Sequence, residues 1–224
     1  MMKRILIFCE GITDQVFIAD WLEKNFSFST SRESRKDSKN KKLKITFGND
    51  NFKGEIIDVG GCDRLRRNEL FHTEMQDNTK EGGINIVVFD ADYTNQDNGN
   101  KGINACKQKL NSIKTDKKID FNYYVWPDDK SDGEIETLLR KLVPQDKEVV
   151  FECIDKHQEC LKATNIENLR VADLKTKIGY YLYTAKQQSE GRNRDYKNSD
   201  FWNMDTENTF LKHFIDFLRQ NIQT

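Results

Sequence analysis

The run Ile84-Asn85-Ile86-Val87-Val88-Phe89, which passes directly into Asp90-Ala91-Asp92, constrains this chain more than any other segment. It is dominated by β-branched and aromatic residues, so it reads as a strand buried on both faces. Such strands belong to parallel sheets covered by helices. A second run of the same kind, Lys3 to Phe8, stops at Cys9-Glu10-Gly11. Val16, Phe17, Ala19, Trp21 and Leu22 then follow at helical spacing. Thr13 or Asp14 is placed to cap that helix, and the chain opens strand, turn, helix.

The alternation continues. Strands over Leu43–Phe47 and Glu55–Val59 are joined by Gly48-Asn49-Asp50-Asn51, and Gly60-Gly61 leads into a helix over Asp63–Gln76. After the Asp90 strand come a helix over Lys101–Ile113 and a strand over Phe121–Trp126. The pattern predicts an α/β domain over residues 1–126 with a mainly parallel central sheet flanked by helices. Beyond it, Asp128–Gly133 reads as a turn. Glu134–Leu142, Lys147–Lys162, Ala172–Gln188 and Thr206–Ile222 read as helices, and 189–205 as a polar loop. Residues 127–224 are therefore expected to be a helical extension packed on the same domain.

Residues 27–44 carry seven basic and two acidic side chains and read as a solvated basic arm. Such an arm suits a nucleic-acid backbone, with Phe26 and Phe28 beside it for base stacking. Over the whole chain 36 Lys+Arg balance 37 Asp+Glu, for a net charge of −1. That balance excludes a histone-like polycation but not a local basic surface. No segment approaches the roughly 20 apolar residues of a membrane span. Cys9, Cys62, Cys106, Cys153 and Cys160 are scattered and follow no leader-like segment, which points to a reducing cytoplasm.

Ligands of open parallel sheets bind beyond the carboxyl ends of the strands. Two strands here end in acids, one at Glu10 and one at Asp90 and Asp92. Strand periodicity puts Asp90 and Asp92 on one side if the extended geometry persists. Three carboxylates held together repel one another unless a divalent cation neutralises them. Hard oxygen ligands suit Mg²⁺ or Mn²⁺, and the reaction class indicated is phosphoryl or phosphodiester chemistry.

The segments Ile5-Leu6-Ile7-Phe8-Cys9-Glu10-Gly11-Ile12-Thr13-Asp14 and Val87-Val88-Phe89-Asp90-Ala91-Asp92 together resemble the Toprim domain of topoisomerases, primases, OLD-family nucleases and small ribosomal-RNA-maturing nucleases. The resemblance covers residues 3–126. It implies a Toprim-like fold in which Glu10 is a general acid/base or metal ligand and Asp90 and Asp92 bind Mg²⁺, with Asp14, matching the acid one helical turn beyond Glu10, as a further metal ligand. Trp126-Pro127-Asp128-Asp129-Lys130-Ser131-Asp132-Gly133-Glu134-Ile135-Glu136-Thr137-Leu138-Leu139 resembles the Pro…Gly-x-Leu-Glu-x-x-Leu segment of small stand-alone Toprim-like proteins, with Ile135 replacing Leu. OLD-type nucleases use a later carboxylate for a second metal, and Glu136 is the matching residue. Lys177 is similar to a lysine before the late helix of those relatives, where a cation would stabilise a pentavalent phosphate. Read from the residues alone, Lys175 and Lys177 sit on a solvated helix face.

These resemblances imply a Mg²⁺- or Mn²⁺-dependent nuclease, or related phosphotransfer enzyme, using one or two ions on DNA or RNA. The alternative is a non-catalytic Toprim-type nucleic-acid-binding module with a protein partner in a repair or phage-defence complex. A haloacid-dehalogenase-like phosphatase also matches Asp90-Ala91-Asp92-Tyr93-Thr94, with Asp128-Asp129 after a later strand. The interval is too short for that family's intervening strands, and Glu10 to Asp14 stay unexplained. Asp97, Asp128, Asp129 and Asp132 are weaker metal candidates, because polar loops collect aspartates. Gly60-Gly61 is a weak phosphate-approach signal. Cys153, His157 and Cys160 share a helix face but lack a fourth zinc ligand. Tyr180, Tyr181 and Tyr183 read as packing residues.

Overall fold

The computed structural model describes residues 2–34, 43–95, 99–164, 166–184 and 193–222. Six strands, β1 (Lys3–Cys9), β2 (Ser29–Ser34), β3 (Leu43–Gly48), β4 (Phe52–Asp58), β5 (Ile84–Asp90) and β6 (Asn122–Trp126), form one sheet in the order β2-β3-β4-β1-β5-β6. Neighbours from β4 to β6 run parallel, whereas β3 and β2 add an antiparallel edge. Eight helices are seen among the described residues: α1 (Ile12–Phe26), α2 (Cys62–Arg67), α3 (Glu69–Lys80), α4 (Ile103–Lys117), α5 (Ile135–Lys141), α6 (Glu148–Lys162), α7 (Leu174–Thr184) and α8 (Lys212–Ile222). The fold is mixed α/β with a mainly parallel sheet.

β1 lies between β4 and β5, with Ile5 opposite Ile84 and Ile7 opposite Ile56. Because successive side chains alternate, Ile5, Ile7 and Cys9 enter one core while Leu6 and Phe8 enter another. Val16, Phe17 and Trp21 of α1, Leu138 and Leu139 of α5, Ile178 of α7 and Phe214 of α8 fill the first. Leu65 of α2, Met75 of α3 and Leu110 of α4 fill the second. Phe214 meets Trp126 and Tyr124 at ring-centroid distances of 4.7 and 5.1 Å, so the last helix shares its core with the sheet.

Several expectations are corrected. The basic segment is not wholly a loop: Ser29–Ser34 is strand β2, paired antiparallel with β3, and 35–42 lie outside the described residues. Phe28 is buried against Phe47 and Phe52 and offers no free stacking face, and Phe26 is half-buried against the same core. The helix expected over 63–76 is two helices broken at Asn68, whose side chain accepts a hydrogen bond from the Leu70 N–H at 3.1 Å and caps the second. In the segment expected to be a polar loop, Tyr196, Trp202 and Met204 are buried, and the terminal helix starts only at Lys212. Tyr181 is a packing residue, but Tyr180 and Tyr183 are exposed. All five cysteines are free, and no helix among the described residues is long and apolar enough to cross a membrane.

Candidate functional site

The sheet reverses its strand order on either side of β1. The parallel strands β1 and β5 therefore deliver Glu10 and Asp90 side by side where a crevice opens in such sheets. The Asp90 N–H donates to Glu10 Oε2 at 3.3 Å. Asp90 Oδ1 accepts the N–H of Ile135 at 2.8 Å, which brings the start of α5, and with it Glu134 and Glu136, to the same crevice. A cleft of about 530 Å³ is lined by Glu10, Asp14, Asp90, Asp92, Glu134, Glu136, Asp173 and Lys175. Glu136 is only 3% exposed, so it faces the other acids and not solvent.

Asp92 reaches the cleft by a different route from the one its spacing suggests. Its φ of +57° ends the extended geometry, a left-handed conformation that Asp tolerates better than most residues. Asp92 and Gly133 exchange backbone hydrogen bonds of 2.9 and 2.8 Å, and Asp92 Oδ2 accepts the Asn100 N–H at 2.5 Å. Asp14 is held at both oxygens: Oδ1 accepts from Trp126 Nε1 at 2.8 Å and Oδ2 from the Gly11 N–H at 3.1 Å. It thereby ties the start of α1 to the end of β6.

Crowding of acids in a buried setting decides their protonation. Burial, reinforced by Asp92 and Glu134, pushes Glu10 up to about 7, while the Asp90 N–H and the Lys175 charge oppose the rise. Burial, then Glu10 and Glu136, pushes Asp14 up to about 8 against the Trp126 hydrogen bond. Burial and the charges of Asp14, Glu10 and Glu136 hold Asp90 well above the carboxylate range. Among the described residues no three His, Cys, Asp or Glu side chains stand as a ready-made metal cage. The donor set nevertheless fits a hard divalent ion: it is all oxygen, crowded, and bordered by one lysine.

Residues 4–223 match the family described as "Protein of unknown function (DUF3226)". The chain belongs to the DUF3226 family. This DUF3226 chain is also similar to the crystal structure of a hypothetical protein from Pyrococcus horikoshii OT3. The match covers 98% of this chain and 95% of that one, with a TM-score of 0.52 and 16% identity. At that identity the likeness speaks for the α/β fold alone. No curated protein matches the sequence.

Not every candidate residue of the DUF3226 chain reaches the cleft. Lys177 pairs with Asp155 at 2.5 Å and lines a separate apolar groove between α6 and α7, together with Cys153 and His157. Lys175, two residues earlier, borders the acids in its place. Asp128 caps its own turn through the N–H groups of Lys130 and Ser131. Asp129 pairs with Lys107, Asp132 accepts from Thr94 and Ile103, and Asp97 lies outside the described residues. Glu134 and Asp173 were not anticipated as cleft residues. The Glu134-x-Glu136 spacing at a helix start was the available signal for the first. The second caps α7 through the Thr176 N–H at 2.8 Å and carried no chemical signal of its own.

Proposed function

We propose that this chain is a Toprim-like, Mg²⁺- or Mn²⁺-dependent nuclease, or a closely related phosphotransfer enzyme, acting on DNA or RNA phosphodiesters in a cytoplasmic setting. One observation carries the reading: Glu10, Asp90, Asp92 and Glu136, drawn from three separate chain segments, line a single cleft at the strand-order reversal. Asp90, Asp92, Glu136 and Glu10 would hold one or two ions, which when bound polarise the phosphate and acidify water.

The chain's own residues supply the rest. Glu10, with a pKa near neutrality, accepts the proton of the attacking water at a carboxylate oxygen. The Asp90 N–H fixes Glu10 Oε2. Lys175 provides positive charge for the phosphate oxygens as negative charge builds there. Asp14 is a positioning residue, because its two oxygens already hold Gly11 and Trp126. Asp128 does not border the cleft, which favours this reading over a phosphatase that needs that carboxylate.

The test is incubation with supercoiled plasmid and structured RNA in Mn²⁺ or EDTA, beside Glu10→Gln and Asp92→Asn. The expected outcome is Mn²⁺-dependent cleavage that falls about 100-fold or more in each variant. Cleavage that persists in both variants overturns the site assignment. Binding of either polymer without any cleavage overturns the enzyme reading in favour of a nucleic-acid-binding module.

A further inference from the structure

The short helix α2 carries Arg64, Arg66 and Arg67, all exposed. Among the described residues none of the three is in an ion pair, whereas Arg4, Arg32 and Arg140 each hold a carboxylate. Unpaired guanidiniums close together are an electrostatic footprint for a polyanion. Arg64 and Arg67, spaced i and i+3 so that they share a face, line an open groove of about 700 Å³ with Gly60 and the exposed Leu70; Asp63 and Glu69 also border it.

The position of this groove is what gives it meaning. β4 runs parallel to β1, so the start of α2 lies at the same carboxyl end of the sheet as Glu10. The backbone there is locked to the acidic loop: the Val59 N–H donates to Cys9 O at 2.9 Å and the Gly60 N–H to Glu10 O at 3.0 Å. Gly60 and Gly61 have φ of +77° and +101°. A Cβ on the first would meet Arg64 Nη1 at 3.2 Å, and on the second Glu10 Oε1 at 3.4 Å. Gly60 thus borders the Arg64 guanidinium and its neighbour Gly61 borders the Glu10 carboxylate, so a single tight turn connects the groove to the cleft.

We propose that Arg64 and Arg67 form a phosphate-backbone subsite that holds a nucleic acid strand beside the carboxylate cleft; this rests on the nuclease reading above. Bidentate guanidinium–phosphate contacts fix a strand's register without reading its sequence. They also bring it to a cleft that would otherwise repel it. The acids would hold metal at the scissile phosphate, and the arginines would take neighbouring phosphates of the same strand. The short helix contributes side-chain charge, not its N-terminus.

The test measures binding separately from cleavage. Fluorescence anisotropy with labelled single-stranded and duplex DNA and RNA is read in EDTA, where no turnover occurs. The proteins are the parent chain, the Arg64→Ala/Arg67→Ala double variant, and a charge-matched control, Lys156→Ala/Lys162→Ala, on the exposed face of α6. Circular dichroism and melting check that the folds are equal.

The expected result is about tenfold weaker binding for the arginine double variant at low salt. The slope of log K against log [salt] falls by roughly 1.5 to 2, and the control stays near the parent. In Mn²⁺ the same variant raises KM while leaving kcat within a few fold. Equal binding by the parent and the arginine variant overturns the subsite even if the parent cleaves, and so does an equal loss in the control. If the parent binds through these arginines but does not cleave, the nuclease reading fails while the subsite stands.

Discussion

Glu10 has one oxygen held by the Asp90 N–H and the other facing a glycine. Gly61 leaves that side of the carboxylate open. Its φ of +101° excludes a side chain without strain, and an added Cβ would stand 3.4 Å from Glu10 Oε1. Gly61→Ala is therefore expected to cost about 1–2 kcal/mol of stability and to lower cleavage by more than the stability loss explains. Chemical denaturation alongside a plasmid assay measures both. Activity at the parent level would show that Glu10 does not depend on this neighbour. Since Glu10 must be ionised to accept a proton, cleavage should fall about tenfold per pH unit on the acid side of its working pKa. That limb should lie below about 7 once a cation adds its field, and Glu10→Gln should abolish it. The acids at the strand ends were legible because an apolar run that stops at a carboxylate is a local pattern. Glu134 and Lys175 were less legible, because their place depends on how α5 and α7 fold back over the sheet.

Of the elements, the strands β1, β5 and β6 and the helices α1 and α4 were readable from periodicity alone, whereas the break at Asn68 between α2 and α3 was not. The strand β2 was hidden because its residues, Ser29 to Ser34, are polar and lie at a sheet edge where pairing is set by β3 and not by burial. Arg32 of β2 pairs with Asp20 of α1, whose Oδ2 also accepts the Tyr196 N–H at 2.8 Å. One aspartate thus joins the first helix, the edge strand and the segment before α8. Burial pushes the Asp20 carboxyl up, and Arg32 opposes it. The hydrogen bond anchors a polar stretch whose Tyr196 and Trp202 rings pack into the core against Phe17 and Tyr181, a pairing between residues far apart in sequence. Asp20→Ala removes the acceptor of the buried Tyr196 N–H and the shared partner of Arg32 and Lys197, and should destabilise the fold by about 3 kcal/mol, measured by urea unfolding. A loss under about 1 kcal/mol would show that the junction is held by its aromatic contacts alone.

At the scale of the whole molecule the acidic cleft is a source of instability that a cation would relieve. Glu10 and Asp14 are raised to about 7 and 8 in the folded protein and return to the ordinary carboxylate range on unfolding. Between about pH 4 and pH 8 the folded state therefore holds protons that the unfolded chain has released, so stability falls as pH rises through that window. In EDTA the Tm at about pH 8.5 should lie below that at about pH 5 by on the order of 10 °C or more. Asp128 and Asp173, both lowered, act only below this window. Mg²⁺ or Mn²⁺ should raise Tm more at the higher pH, because ligands must lose their protons to bind. Stabilisation by metal that is equal at both pH values would count against these carboxylates as the ligands. The order β2-β3-β4-β1-β5-β6 also sets a schedule for synthesis. β1 emerges first yet completes its pairing only when β5 arrives, with Ile5 opposite Ile84. Such distant pairings make folding slow, and until then a strand apolar on both faces waits without its partner. A nascent chain that stalls before Ile84 holds only the β2-β3-β4-β1 part of the sheet and lacks Asp90 and the site, and it presents the open edge of β1 to its neighbours.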